Sequence, residues 1–368
     1  MVRYALRVLR GQPLRLVLTV GGVSLCVVLM FFLLAVYRGA AEGSVDYIRQ
    51  NPADLWVLQK NASNILRGSS LVSSAQGELL SRLPGVRTVA SVLFLLQTVR
   101  RGEEARTVFL AGYEPDKGLG GPPRLAAGRH VRSDDEIVLD RSFARKLGLG
   151  LGRELDLQGH RLVVVGISRG TNAFVIQYAF VTLRLARSLI GFPGLTTCFL
   201  LLLDEGADPV RLQETIRDRC PGLEVYDQAT FLGNNVREMK SGFLPLLYTV
   251  AAIGVVVLTA ILSLLLSVNI LERRRDFAIL KTLGSPARLL WGMVVHQALW
   301  MASASSLVAL GIFFPLLRVV ERISPEVSAK SSPCQVVGVI LAVGLMSLLS
   351  ALVSTRRLRR IYHWESLP

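Results

Sequence analysis

The sequence is poor in the residues from which active sites and metal centres are built. It holds four cysteines and four histidines in 368 residues, the histidines scattered at 130, 160, 296 and 363. There is no Cys-x-x-Cys pair and no His/Cys cluster with metal-ligand spacing, so the usual zinc and redox motifs are absent and no metal is expected. No Gly-x-x-x-x-Gly-Lys-Ser/Thr occurs, which leaves the chain without a P-loop for ATP. The Gly148-Leu-Gly150-Leu-Gly152 run is no substitute. It follows a short predicted helix rather than a strand, and no helix opens behind it, so it reads as a turn. Local motifs suggest neither a Ser/His/Asp nor a Cys/His set, and no catalytic residue is assigned. Charge, too, is missing over long stretches. The blocks 16–37, 246–270, 289–317 and 335–354 are nearly free of it, and each is long enough to cross roughly 30 Å of hydrocarbon. The first is not read as a cleaved signal, because its apolar run is too long and no small-x-small site closes it before Tyr37-Arg38.

The charge that is present is concentrated. Of a formal net +15, residues 1–15 supply four through Arg3, Arg7, Arg10 and Arg15. The segment around 270–290 supplies a net three, and the tail, with Arg356, Arg357, Arg359 and Arg360 against Glu365, another three. With four spans these three segments share one side. The positive-inside rule then places both termini and the middle loop in the cytoplasm of a multi-pass protein of the inner membrane. Basic proteins also bind nucleic acid, but the membrane accounts for this pattern and no recognition motif supports the alternative. The expected fold class is therefore a polytopic α-helical membrane protein with four transmembrane helices and a large mixed α+β extracytoplasmic domain between helices 1 and 2. In order, the expected parts are a cytoplasmic amphipathic helix (1–15), span one (16–37), the outer domain (38–245) and span two (246–270). A cytoplasmic segment (271–288), span three (289–317), an outer loop (318–334), span four (335–354) and a basic tail (355–368) complete the chain. The basic ends would meet lipid headgroups.

Within 38–245, β-like runs predict strands at Ala53–Gln59, Val86–Arg100 (one long strand or two), Glu136–Leu139, Glu154–Leu157, Arg161–Ile167, Thr196–Leu203 and Glu224–Tyr226. Helices are predicted at Gln76–Leu83, Ser142–Leu147 and Val210–Arg219, the last opened by Asp208-Pro209. Two lobes are expected, joined near 125–135 and 170–195. Asn234–Leu247 reads as an amphipathic helix running into span two, with Pro245 at the entry. Cys198 and Cys220 both fall outside the membrane, where a disulfide is permitted; the alternative is two small buried hydrophobes. Gly21 and Gly22 in span one, and Ala302, Ser305 and Ser306 in span three, are small enough to let helices approach closely, although membrane helices are commonly rich in such residues.

The stretch Leu271–Gly284 stands apart. It is charged at its start and has apolar residues at helical spacing behind, between two spans. Its Glu272-Arg-Arg-Arg-Asp-Phe-Ala-Ile-Leu-Lys-Thr-Leu-Gly284 resembles the Glu-Arg-x-x-Glu-Ile-x-x-Leu-(Arg/Lys)-x-x-Gly pattern of the MacB/FtsX-type ABC transporter permease superfamily, with Asp276-Phe277 where Glu-Ile is usual. Glu136-Ile-Val-Leu-Asp-Arg-Ser-Phe-Ala-Arg-Lys-Leu-Gly-Leu, followed by Val163-Val-Val-Gly166-Ile167, is similar to the outer-domain signature of these permeases. The tail Arg356–Leu367 resembles their common ending, with Trp364 in place of the usual proline. Asn51-Pro-Ala-Asp-Leu-Trp56 is fainter, and similar to DevC-type exporters.

The resemblance implies a mechanotransmission permease for export or efflux, with no cofactor of its own. A separate cytoplasmic ABC ATPase would bind ATP and Mg. The chain would pair with a second copy or a paralogous permease, and its outer domain would contact a periplasmic adaptor or a lipoprotein. Residues 271–284 would be the coupling helix. Phe277, Ile279 and Leu280 would divide between the membrane helices and the ATPase groove, with Leu283 on the apolar or a neighbouring face of the same coupling segment. Glu272, Arg273 and Arg275 would make charged contacts or anchor to lipid headgroups, Asp276 would belong to the same coupling set, and Gly284 would end the helix. The alternatives are an FtsX-like regulatory module controlling a cell-wall hydrolase, a lipoprotein-extraction permease and, from a different class, an outer sensor paired with a histidine kinase and the ATPase.

Overall fold

The computed structural model describes residues 13–65, 70–173, 176–272, 287–323 and 331–364. The expected amphipathic helix at 1–15 lies, up to residue 12, outside the described residues, whose first elements are helix α1 (Pro13–Gln50), then β1 (Leu55–Gln59), β2 (Val72–Ser73), α2 (Ala75–Ser81), β3 (Val86–Arg101), β4 (Glu104–Tyr113), β5 (Leu125–Gly128) and β6 (Glu136–Asp140). There follow α3 (Arg141–Lys146), β7 (Glu154–Leu157), β8 (His160–Ser168), β9 (Asn172–Ala173), β10 (Ile176–Thr182), α4 (Leu183–Ile190), β11 (Leu195–Thr196) and β12 (Cys198–Leu203). The last elements are α5 (Pro209–Arg219), β13 (Leu223–Asp227), α6 (Gln228–Glu272), α7 (Ala287–Ile323) and α8 (Pro333–Trp364). Contacts divide the chain into two units. One is built on Gly39–Leu244; the other holds the described residues up to Arg38, Pro245–Arg322, and those from 331 on. Helices α1 and α6 each pass from one unit to the other without a break.

In the Gly39–Leu244 unit, eleven of the described strands form one sheet in the order β13-β1-β12-β3-β4-β10-β6-β8-β5, with β7 pairing β3 and β8, and β9 pairing β10. Neighbours run antiparallel except β4/β10 and β6/β8. The parallel β6/β8 pair needs a crossover, which α3 and β7 provide. Side chains alternate between the two faces of a strand, and the two faces are closed differently. On one face Leu55, Val57, Phe199 and Leu201 pack with Leu80 of α2 and with Leu212 and Ile216 of α5. Further along, Leu93, Leu110, Ala179 and Val181 pack with Phe143 of α3 and Leu185 and Ala186 of α4. The opposite face, with Trp56, Val92, Phe94, Phe109, Tyr178 and Phe180, is closed by Tyr47 and Ile48 of α1 and Phe231 of α6. Gly112 lets α4 lie directly on β4: a Cβ there would collide with Ala186 Cβ.

One expectation for this unit is corrected, and of the two readings of Cys198 and Cys220 the disulfide is corrected in favour of two small buried residues. The stretches taken as joints between lobes are part of the sheet: 125–128 is the edge strand β5, and β10 sits between β4 and β6. β10 is buried on both sides, so it lacks the alternation by which a strand is recognised. The permitted disulfide is not formed, and both cysteines are free and buried. Cys198 faces the aromatic core with Leu200, whereas Cys220 ends α5 and packs with Phe199 and Leu201 on the other face, so the sheet lies between them.

In the other unit, the described residues include three helical stretches long and apolar enough to cross a membrane: Val20–Gly43, Val294–Ile323 and Pro333–Leu352. Within α6 a shorter apolar stretch runs over Tyr248–Ile261. Val23, Val27 and Phe31 of α1 pack with Ala302, Ala309 and Phe313 of α7 and with Val339, Val343 and Met346 of α8. Serine hydroxyls add bonds in this apolar setting: Ser24 Oγ donates to Val20 O at 2.6 Å and lies 3.0 Å from Ser305 O, and Ser350 Oγ donates to Thr259 O at 3.2 Å. His296 Nδ1 lies 2.8 Å from Gly292 O of its own helix.

Candidate functional site

One polar junction of the sheet-bearing unit lies where α1 ends and α6 begins. A helix leaves its last four carbonyls without partners inside the helix. At the end of α1 an outside group takes some of them. Gln228, first residue of α6, points its amide nitrogen at Ile48 O (3.1 Å), Arg49 O (3.4 Å) and Asn51 O (3.0 Å). A carboxamide has two N–H donors, so the three contacts share them, and the longest is the weakest. The start of α6 is fixed from the other side as well. Asp227 accepts from Thr230 N at 2.5 Å and from Thr230 Oγ1 at 3.1 Å, an acidic cap on a first turn.

Each helix end also drives an aromatic ring into the same core. The Tyr47 ring stacks on Tyr178 at 5.0 Å between centroids and meets Phe94 edge-on at 5.7 Å. Its hydroxyl donates to Gly120 O at 2.6 Å. Burial drives the Tyr47 phenol well above the ordinary tyrosine range, so it stays a neutral donor. Phe231 stacks on Trp56 at 4.9 Å and lies 5.9 Å from Tyr226. One turn further on, Asn235 is buried; its Oδ1 accepts from Ile65 N at 3.1 Å while its Nδ2 donates to Phe231 O at 2.8 Å. Buried rings in tilted and edge-on contact resist sliding because few alternative packings fill the same space. The arrangement is suited to holding two helices in a fixed relation to a sheet, which is a mechanical capacity.

Elsewhere in the unit Asp140 and the cleft residues bond to their neighbours. Asp140 caps α3 through Ser142 N at 2.7 Å and accepts from Thr171 Oγ1 at 2.7 Å; Thr171 in turn meets Ser168 Oγ at 2.6 Å. Burial pushes the Asp140 carboxyl up, and these donors partly offset it. A cleft of about 890 Å³ opens where β4 and β10 end, with Lys117, Arg132, Asp134, Arg184 and Arg187 on its walls. Asp134 accepts from Thr182 Oγ1 and lies 3.5 Å from Arg184, while Arg187 Nε donates to Leu195 O at 3.0 Å. Among the described residues no group of three or more His, Cys, Asp or Glu is placed to hold a metal ion.

Of the residues singled out in the sequence, Arg273, Arg275, Asp276, Phe277, Ile279, Leu280, Leu283 and Gly284 lie outside the described residues, and Glu272 is the last residue of α6. Ala302, Ser305 and Ser306 are buried. Gly21 is exposed and Gly22 half-buried, with open space around both, and it is Ser24 that approaches α7. Sequence reasoning missed Gln228 and Tyr47. It started the entering helix at Asn234, six residues late, and so left the acidic cap Asp227 and the residue behind it in a loop. The Asp-x-x-Thr spacing ahead of Phe231 was the available signal.

Comparison with known proteins divides the chain similarly. Residues 16–219 match the family model of the MacB-like periplasmic core domain, and residues 248–362 match that of the FtsX-like permease C-terminal region. An uncharacterized ABC transporter permease of Mycobacterium tuberculosis (strain H37Rv) is 27% identical over 317 residues, covering 85% of each chain. A second permease of that organism is 25% identical over 307 residues, covering 83% of this chain and 82% of the relative. Among solved structures, the periplasmic region of MacB from Actinobacillus actinomycetemcomitans is similar with a TM-score of 0.41 and 14% identity, over 50% of this chain and 92% of that one.

Proposed function

The chain belongs to the MacB/FtsX-type ABC transporter permeases, and we propose that within that family it is the membrane subunit of a mechanotransmission machine, most suited to export. In this reading the chain crosses the inner membrane four times, the apolar stretch Tyr248–Ile261 of α6 being part of the second crossing. The termini and residues 271–288 lie in the cytoplasm and the Gly39–Leu244 unit lies outside. A separate ABC ATPase binds ATP and Mg and grips the 271–284 segment; a second permease copy completes the complex. This chain carries no catalytic step. Closure of the ATPase displaces the spans, and the displacement reaches the outer unit, where it acts on a periplasmic adaptor, a lipoprotein or the cargo itself.

The observation that carries this reading is the rooting of α1 and α6 in one aromatic core. Both are helices that continue from the membrane unit, and both end against the same face of the sheet through Tyr47 and Phe231. A loop merely tethered to the membrane would need no such anchorage. The test is purification from native membranes in mild detergent. The parent chain should carry an ABC ATPase with it, and Leu280→Asp should lose that ATPase while still inserting. If the ATPase stays bound to Leu280→Asp at the parent level, the docking assignment is wrong. A cell-wall hydrolase bound to the outer unit, in place of an adaptor or lipoprotein, would turn the reading towards regulation.

A further inference from the structure

We propose that Gln228 is a latch that locks the end of α1 to the start of α6, so that the two helices act on the outer sheet as one body. The contacts are local to the outer unit; their mechanical meaning rests on the mechanotransmission reading. An ordinary cap serves a helix end from a neighbouring residue in sequence. Here the donor comes from another helix 180 residues away, and it is the first residue of that helix. Its targets matter as well. Ile48 and Arg49 are successive residues of a helix, so their positions are turned about 100° apart around the α1 axis. Asn51 lies beyond the end of the helix. One amide held to Ile48 O, Arg49 O and Asn51 O therefore opposes rotation of α1 as well as sliding along its axis.

The aromatic rings do a different job. Tyr47 ties α1 to the sheet through Tyr178 and to the β4–β5 connection through Gly120, and Phe231 ties α6 to the sheet through Trp56. Each of those contacts fixes one helix to the core. Gln228 joins the two helix ends directly. The Asp227 cap strengthens the arrangement from behind, because it holds the first turn of α6 and with it the backbone from which Gln228 reaches out. Gln228 is thus a positioning residue. It touches no cargo and performs no chemistry, and its effect is on how independently α1 and α6 can move.

The test uses the full chain in lipid nanodiscs, with Cys26→Ser and Cys334→Ser to leave only the buried cysteines. Spin labels are placed at the exposed positions Arg49→Cys on α1 and Arg237→Cys on α6, and the distance between them is measured by pulsed electron resonance. In the parent the distribution should be narrow. In Gln228→Ala it should broaden by about twofold, because losing a half-buried hydrogen-bonded contact multiplies the displaced population about fivefold. Gln228→Asn, which keeps the amide but falls one methylene short, should broaden it too while disturbing the fold less, and it decides the matter if the alanine variant does not fold. Amide exchange at Asn51, whose N–H is held by Ile48 O at 3.2 Å, should quicken with the broadening. A distribution as narrow as the parent's in a folded variant overturns the latch, whatever the melting temperature does. The functional reading is tested separately in the same preparation. With the partner ATPase and ATP, the distance between single Arg237→Cys labels on the two permease copies must shift on the unaltered Gln228 background, while the Arg49–Arg237 distance within one copy stays narrow. Absence of that shift sinks the mechanotransmission reading, while the latch stands or falls on the width of the distribution alone.

Discussion

Replacing Phe231 by alanine is the sharpest probe of the aromatic core. The ring is fully buried, stacked on Trp56 at 4.9 Å and flanked by Tyr226 at 5.9 Å, so its removal leaves a cavity walled by other rings that cannot all close in. Truncations of this kind cost about 3–5 kcal/mol, the stacking contribution included. For a unit of this size each kcal/mol moves the melting point by about 2–4 °C, so the expected fall is roughly 6–20 °C. Trp56 makes the assay direct. The chain has four tryptophans, and the other three, Trp291, Trp300 and Trp364, lie outside the Gly39–Leu244 unit. A red shift of emission on heating the full chain in nanodiscs, compared with a Trp56→Phe background, therefore isolates the outer unit. Phe192, an exposed ring in the same unit, supplies the control: Phe192→Ala should stay within about 0.5 kcal/mol of the parent. The reasoning fails if Phe231→Ala melts where Phe192→Ala does, since the ring would then not be part of what holds α6 to the sheet.

Two further outcomes follow from the sheet. Gly112→Ala should destabilise the unit by about 1–3 kcal/mol, because the new methyl meets Ala186 of α4, and a second change, Ala186→Gly, should recover much of the loss in a thermal melt. Glu136 gives a pH signature: Arg129 donates to it at 2.7 Å through Nη1 and again through Nη2, and this pairing holds its carboxyl down at about 2 against an ordinary 4.5. A carboxyl depressed on folding contributes stability that is complete above its unfolded value and lost as pH falls from about 4.5 towards 2. Melting curves of the parent should therefore fall in that window relative to Glu136→Gln. A constant difference between the two from pH 6 to pH 2 would refute it. Buried Asp140 has the opposite sign, but it is common to both proteins and cancels in the comparison.

What the sequence made legible was whatever leaves a local period. β1, β3, β7, β8 and α5 fall within a residue or two of where alternation, proline and acidic caps placed them, and the pairs Glu136–Asp140 and Arg141–Lys146 likewise. β10 did not, because a strand covered on both faces has no polar side to mark it. β5, Leu-Ala-Ala-Gly at the sheet edge, has too little side chain to show a pattern at all. Cys198 and Cys220 were compatible with a disulfide in sequence and are not in space, since a period of two sends Cys198 to the face opposite Phe199, against which Cys220 packs. The latch was hidden for another reason. Gln228 and the carbonyls it meets are 177 to 180 residues apart, and backbone carbonyls carry no sequence signature.

The division of labour between the two faces bears on how such a unit can move. Four short helices, α2 to α5, close one face and belong to the unit alone. The other face is closed by the ends of α1 and α6. Pulling either of these away would expose Trp56, Phe94 and Tyr178, each a large ring whose burial contributes a few kcal/mol. Packed cores deform little and instead switch between discrete arrangements. A displacement arriving along α1 or α6 therefore meets a lower barrier in carrying the whole sheet with it than in sliding one helix across that face. In the proposed mechanotransmission reading, the aromatic core would make the sheet follow the helices, and Gln228 would make the two helices follow each other.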